Sequence, residues 1–140
     1  MGKQLSNELK IAAKTENLKQ VLSFVDSVLN EADCLPQAKV QINIAAEEIF
    51  VNIAYYAYPQ NNGEAVIKAE VTDDPKAVII SFFDSGVKYD PLARPDPDLT
   101  VSVDDRPIGG LGIFMTKELM DEVSYEYRNG QNVFVMKKYL

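Results

Sequence analysis

The chain contains no histidine. That absence excludes a Ser-His-Asp triad, a histidine-ligated metal and a phosphohistidine within it. A single cysteine, Cys34, leaves no partner for an internal disulfide and no cluster for zinc. Nothing close to it in sequence lowers its pKa, so an inert thiol in a reducing compartment is expected. Positive charge is also scarce: 14 Lys and Arg stand against 21 Asp and Glu, a net charge of −7. A protein that grips phosphate backbones carries a basic stripe, and none is visible here, so direct nucleic-acid binding is not expected. A basic partner would be attracted. No apolar run approaches the length of a bilayer span, and the first residues lack a signal-peptide pattern. The expectation is a cytoplasmic protein with no membrane partner.

What remains is ordinary in composition. With 140 residues, 46% hydrophobic and 25% charged, the chain reads as one globular domain over 1–140. It is long enough to bury a core without staples. Residues 5–13 read as a first strand. Thr15 or Asn17 then suits the cap of a helix whose Leu18, Val21, Leu22, Val25, Val28 and Leu29 recur at steps of three and four. That helix stops near Asp33, and Pro36 opens a second one that runs to about Tyr58. Two strand-type runs follow, Ala65–Val71 and Ala77–Phe83, joined at Asp73, Asp74 and Pro75 as a hairpin. From 87 to 108 the chain is irregular and rich in proline and acid, the pattern of a functional lid or a disordered stretch, with a solvated excursion of no role as the alternative. Leu111–Met120 has helical spacing, and 123–128 and 131–139 form a second hairpin turned at Asn129-Gly130. The order β-α-α-β-β-lid-α-β-β implies an α+β, two-layer architecture with helices on one face of a sheet.

The second helix is apolar nearly all round. Ile42, Ala46, Ile49 and Ile53 fall on one face, Val40, Ile44, Val51 and Ala54 on the other, which predicts burial on more than one side. Glu48 and Asn52 lie one turn apart on the edge of the first face. Such a pair suits a local hydrogen bond on a solvated strip. The alternative is a cleft, where an amide oxygen completes the shell of a phosphate-held magnesium ion and a carboxylate takes a proton. Glu47 falls on a different face. Asp84-Ser85-Gly86, at a strand end, reads as a turn or as a carboxylate that receives a ligand amine, with Gly86 allowing close approach to a flat ring. Gly109-Gly110-Leu111-Gly112-Ile113 opens a helix, where free N–H groups suit phosphate, although a plain hinge has the same composition. It is neither a Rossmann fingerprint nor a P-loop.

In combination, EEIFVN on a helix, FFDSG at a strand end and GGLGI after a lid resemble the GHKL ATP-binding family, and within it the small anti-sigma-factor serine kinases. The resemblance spans roughly residues 8–139. It implies a mixed, mostly antiparallel sheet covered on one face by helices, with ATP between helices and lid. It implies Glu48 as general base, Asn52 as ligand of Mg2+, and Asp84 as acceptor of the adenine amine, with Gly86 in the same box. Gly110 and Gly112 would line the phosphates. Arg106 and Lys88 are the cations nearest that region, as suited to a solvated surface as to the phosphates.

The implied reaction moves the γ-phosphate of MgATP to a serine of a STAS-type anti-anti-sigma protein, and the implied second partner is a sigma factor held by a homodimer. Two positions depart from the family pattern. Tyr56 stands where a histidine is common, and Val135 where the last strand often carries threonine. The competing reading is a non-catalytic switch of the same fold that binds its partner with or without nucleotide. A histidine-kinase catalytic domain fits less well, since neither its phosphoacceptor helix nor any histidine is present.

Overall fold

The computed structural model describes residues 5–60, 62–93 and 111–140. Strand β1 (Leu5–Ala12) leads through a 3-10 turn (Thr15–Asn17) into helices α1 (Leu18–Glu31) and α2 (Pro36–Tyr56). The hairpin β2 (Glu64–Thr72) and β3 (Ala77–Asp84) follows, then a 3-10 turn at Pro91–Ala93. Helix α3 (Leu111–Leu119) and the hairpin β4 (Glu122–Arg128) and β5 (Gln131–Tyr139) complete the fold. The sheet order is β1-β2-β3-β5-β4, and all four described pairings are antiparallel. The expected mixed sheet is thus antiparallel throughout the described residues. Each neighbour pair except β3 and β5 is adjacent in the list of strands along the chain or joined by the β1-to-β2 helical excursion, so no right-handed parallel crossover is required.

Local chemistry explains the boundaries. Pro36 occupies the first turn of α2, where its missing N–H is not needed. Helix α1 ends in a Schellman motif: Cys34 N–H donates to Leu29 O at 3.1 Å and Asp33 N–H to Asn30 O at 3.2 Å. Asp33 supplies the left-handed residue, with φ 54°. The Asn129-Gly130 turn has φ 53° and 76°, both positive, as a two-residue hairpin whose twist matches its strands requires. Asn17 does precede α1, but its side chain makes no cap. Its amide instead donates to Ala12 O at 2.9 Å, tying the helix start back to β1.

The core lies between one sheet face and α1 and α2. Val21, Val25, Val28 and Leu29 of α1 and Ile42, Ala46, Ile49, Phe50 and Ile53 of α2 pack on Ile67, Ile80, Phe82 and Met136. Leu18 and Leu22 are partly buried at its margin. The second apolar face of α2 does not behave as expected. Val40 is 59% exposed and Ile44 41%, while Val51 and Ala54 are half-buried. A two-layer fold has one sheet to cover, so the outward side of α2 is covered only in part, by α3 beside Ile44 and Val51 and by the 3-10 turn beside Ala54. Cys34 is half-buried, and burial pushes its thiol up in spite of Lys39, Lys76 and Lys138, in keeping with an inert residue.

Candidate active site

A cleft opens between the C-terminal half of α2, the end of β3 and the β4–β5 hairpin. Its walls are largely apolar: Ile49, Ile53, Phe82, Val87 and Phe134. Asn52, Asp84 and Asn132 supply polar groups, and Tyr56, Tyr89 and Tyr125 supply rings. A mostly apolar cleft with a few convergent polar groups is the form taken by sites for flat organic ligands.

Asp84 is the last residue of β3 and only 5% exposed. Burial raises its pKa, against hydrogen bonds from Asn132 and the Gly86 N–H that lower it. Both bonds reach the same oxygen: Gly86 N–H at 3.0 Å and Asn132 Nδ2 at 2.9 Å meet Oδ1. Gly86 has its own steric reason. A Cβ there would fall 2.6 Å from the carbonyl carbon of Ala57, just past the end of α2, and would overlap its oxygen as well. The same carbonyl accepts the Val87 N–H at 2.8 Å. The DSG turn is therefore seated directly on the end of α2. Tyr58 adds a strut, its hydroxyl donating to Glu64 O at 2.7 Å and accepting the Ser85 N–H at 2.8 Å.

Glu48 and Asn52 meet as their spacing predicts. The Asn52 side chain hydrogen-bonds the Glu48 carboxylate, and Asn52 also lines the cleft. Burial raises the Glu48 pKa, the Asn52 bond opposes this, and Glu47, though on another face, raises it further. Glu48 also lines a second, shallower hollow with Ile44, Val51, Gly112 and Met115. A Cβ on Gly112 would overlap the Glu48 carboxylate, so the first turn of α3 lies against that group. The helix pair and the glycine segment, 60 residues apart, thus meet at one point.

Of the residues singled out in sequence, Asn52 and Asp84 share the cleft, Glu48 joins Asn52 to Gly112, and Gly86 locks the DSG turn to α2. Arg106 and Gly110 lie outside the described residues, as does the 87–108 segment beyond Ala93. Lys88 reaches the ring of Tyr127, 5.4 Å from its centroid. Tyr56 is 58% exposed and borders the cleft. Val135 does not: on β5 the alternation places Asn132, Phe134 and Met136 toward the helices and cleft, and Val135 on the opposite face. Asn132 was missed. Its signal was an amide at an inward position of a strand whose other inward residues, Phe134 and Met136, are apolar.

No group of three or more His, Cys, Asp or Glu side chains converges among the described residues. A protein-only cage for a cation is therefore not seen there. A neutral amide oxygen such as that of Asn52 fits a hard cation whose other ligands are phosphate and water. No helix of the described residues is long and apolar enough to cross a membrane.

Residues 11–138 match the model of the histidine kinase-like ATPase domain family. The chain is 31% identical over 138 residues to the serine-protein kinase RsbW of Bacillus velezensis and 30% over 138 residues to that of Bacillus subtilis. It is 28% identical over 137 residues to that of Bacillus cereus. Each alignment covers 95% of this chain and 84% of the relative. Among solved structures, the RsbU and RsbW domains of a Mycobacterium tuberculosis protein align with a TM-score of 0.68 at 17% identity, over 97% of this chain. This chain spans about a third of that longer one, 32%, and the likeness is one of fold.

Proposed function

This chain belongs to the histidine kinase-like ATPase family, alongside the RsbW serine-protein kinases, and from that premise we propose that it is an ATP-dependent protein serine kinase acting as an anti-sigma factor. Its substrate is a serine of a STAS-type anti-anti-sigma protein, and its second partner is a sigma factor that it sequesters as a homodimer. It acts in the cytoplasm, without a membrane or nucleic-acid partner. The observation that carries the reading is the Glu48–Asn52 hydrogen bond with Gly112 packed on it, beside a cleft that holds Asp84.

Adenine enters the apolar cleft and its exocyclic amine donates to Asp84. The triphosphate then runs toward Asn52 and the start of α3, where Gly112 lies against Glu48; Gly110 is assigned to the phosphates on the family resemblance. Asn52 would hold Mg2+ through its amide oxygen, and the ion would supply neutralisation of the phosphate charge. The serine Oγ attacks the γ-phosphorus, the bond to the ADP oxygen breaks, and the serine proton passes to Glu48. A carboxylate with a raised pKa suits that task, since it holds the proton better than an ordinary glutamate. Arg106 is placed near the phosphates on the family resemblance. The exposed Ile44 and Met115 offer apolar surface for protein contacts beside Glu48, and the exposed Val40 and Leu35 lie farther toward the start of α2.

The test is transfer itself. With MgATP and the STAS-domain protein encoded nearest this chain's gene, intact-mass analysis is expected to show one phosphate added to a serine, matched by ADP. Glu48→Gln is expected to stop the transfer. Tight ATP binding with neither phosphoserine nor ADP would instead establish the non-catalytic switch.

A further inference from the structure

We propose that Asn132 is a positioning residue for nucleobase recognition, holding Asp84 so that a single carboxylate oxygen is presented to the base. The inference rests on the nucleotide-site reading above. Its basis is a hydrogen-bond hub that none of the sequence motifs includes. Register places Asn132 of β5 directly opposite Asp84 of β3 in the ladder. The Asn132 Nδ2 group donates to Asp84 Oδ1 and to Val87 O, each at 2.9 Å. Its Oδ1 accepts the Tyr89 N–H at 3.1 Å and the Tyr125 hydroxyl. Two donors and two acceptors are the whole capacity of an amide, and all four are engaged.

That saturation has a directional consequence. Asn132 has no valence left for a ligand, so it acts through Asp84. Asp84 Oδ1 already takes Asn132 and Gly86, and among the described residues no hydrogen bond reaches Oδ2. The carboxylate is thereby fixed in rotation, with one oxygen spent on the protein and the other left to accept. A purely structural residue at this inward position need not be polar: Phe134 and Met136 on the same face are apolar and buried. Burying an amide is tolerable only because every polar atom is paired. The same hub ties the base-reading carboxylate to Val87 and Tyr89, three and five residues past the end of β3, and to β4 through Tyr125.

Two donors on one oxygen also favour the charged form of Asp84, opposing the burial that raises its pKa. The other titratable groups acting on the cluster are Tyr58, Tyr125, Tyr127 and Asp90. Burial pushes the Tyr58 and Tyr125 phenols up, so they stay protonated through neutral pH and add no charge.

The test is calorimetric titration with MgATP and MgGTP at pH 6 and pH 8, using wild type, Asn132→Asp, Tyr125→Phe and Asp84→Asn. Asn132→Asp keeps shape and acceptors but exchanges the donating amide for an acidic group. Two adjacent carboxyls hold one proton between them, so the donor returns only at low pH. The expected result is ATP affinity at least about tenfold weaker at pH 8, recovering to within about threefold of wild type at pH 6, with the ATP-over-GTP preference reduced at pH 8. Tyr125→Phe, which retains a buried ring, is expected to weaken ATP by about three- to tenfold by freeing the amide to turn. Equal losses for both nucleotides at both pH values would mean that Asn132 merely supports the fold, and would overturn the proposal. So would ATP binding that Asp84→Asn removes but Asn132→Asp and Tyr125→Phe leave within twofold of wild type. Wild type that binds neither nucleotide would overturn the nucleotide site itself, and the role of Asn132 with it.

Discussion

Substituting Gly86 by alanine adds one methyl group where the end of α2 leaves no room. The new Cβ would stand 2.6 Å from the Ala57 carbonyl carbon and 2.7 Å from its Cβ, against backbone that no rotamer change can clear. Either the DSG turn or the end of α2 must move. That movement threatens the 2.8 Å bond from Val87 N–H to Ala57 O and the 3.0 Å bond from Gly86 N–H to Asp84. Overpacking costs about 1–3 kcal/mol, and a weakened partly buried hydrogen bond adds about 1 kcal/mol, so a loss of about 2–4 kcal/mol is expected. For a domain of this size that lowers Tm by about 5–15 °C. ATP affinity is expected to fall by more than about tenfold, because Asp84 and Asn52 sit on the two parts being forced apart. Gly130→Ala is the control. Its site is open, with nothing within 4 Å, but φ is 76°, so only backbone strain of about 1 kcal/mol is added and ATP binding is unchanged. Thermal unfolding and calorimetric ATP titration read both effects. A Gly86→Ala protein that melts within about 1 °C of wild type and binds ATP within twofold would refute the packing argument.

Other outcomes follow from the same geometry. Glu48→Gln is expected to lower the rate of phosphate transfer by about 10²-fold or more while ATP affinity stays within a few-fold, measured by single-turnover assay and calorimetry. Gly112→Ala puts a methyl group on the end of a flexible carboxylate instead of on backbone, so transfer is expected to fall with little change in Tm. Asp84→Asn is expected to abolish adenine-selective binding yet raise the Tm of the nucleotide-free protein at pH values above the ordinary Asp pKa range. The folded pKa of Asp84 lies above its unfolded value, so the native state binds the extra proton between the two and loses stability as pH rises through that window. Removing the buried charge removes that loss, and melting curves across pH 4–8 would show the wild-type decline flattened in the variant. Tyr58→Phe, which deletes the strut to Glu64 O and Ser85 N–H, is expected to cost about 1–3 kcal/mol in denaturant unfolding.

Strong periodicity and turn chemistry made most of the fold legible. The 3-and-4 spacing of α1, Pro36 at the start of α2 and Asn129-Gly130 each fixed an element within a residue or two. The outward face of α2 misled because an apolar residue shows its wish for cover but not whether its own chain supplies it. The sheet's direction at β3–β5 could not be read either, since no local signal sets the pairing of strands separated by α3 and β4. In the site, Glu48, Asn52 and Asp84 were visible because short motifs fix them on a helix turn and a strand end. Asn132 was not, since its meaning lies in a long-range register. Val135 illustrates the cost of a one-residue offset: parity alone turns it from the cleft to the far face.

The central claim, that the cleft lined by Asp84 and Asn52 is an ATP site, is tested most directly by calorimetric titration of the full chain with MgATP, with MgGTP and Asp84→Asn as controls. The account predicts binding of one ATP per chain, a clear preference over GTP, and loss of binding in the variant. No heat at millimolar ATP, or equal binding of GTP that survives Asp84→Asn, would contradict it.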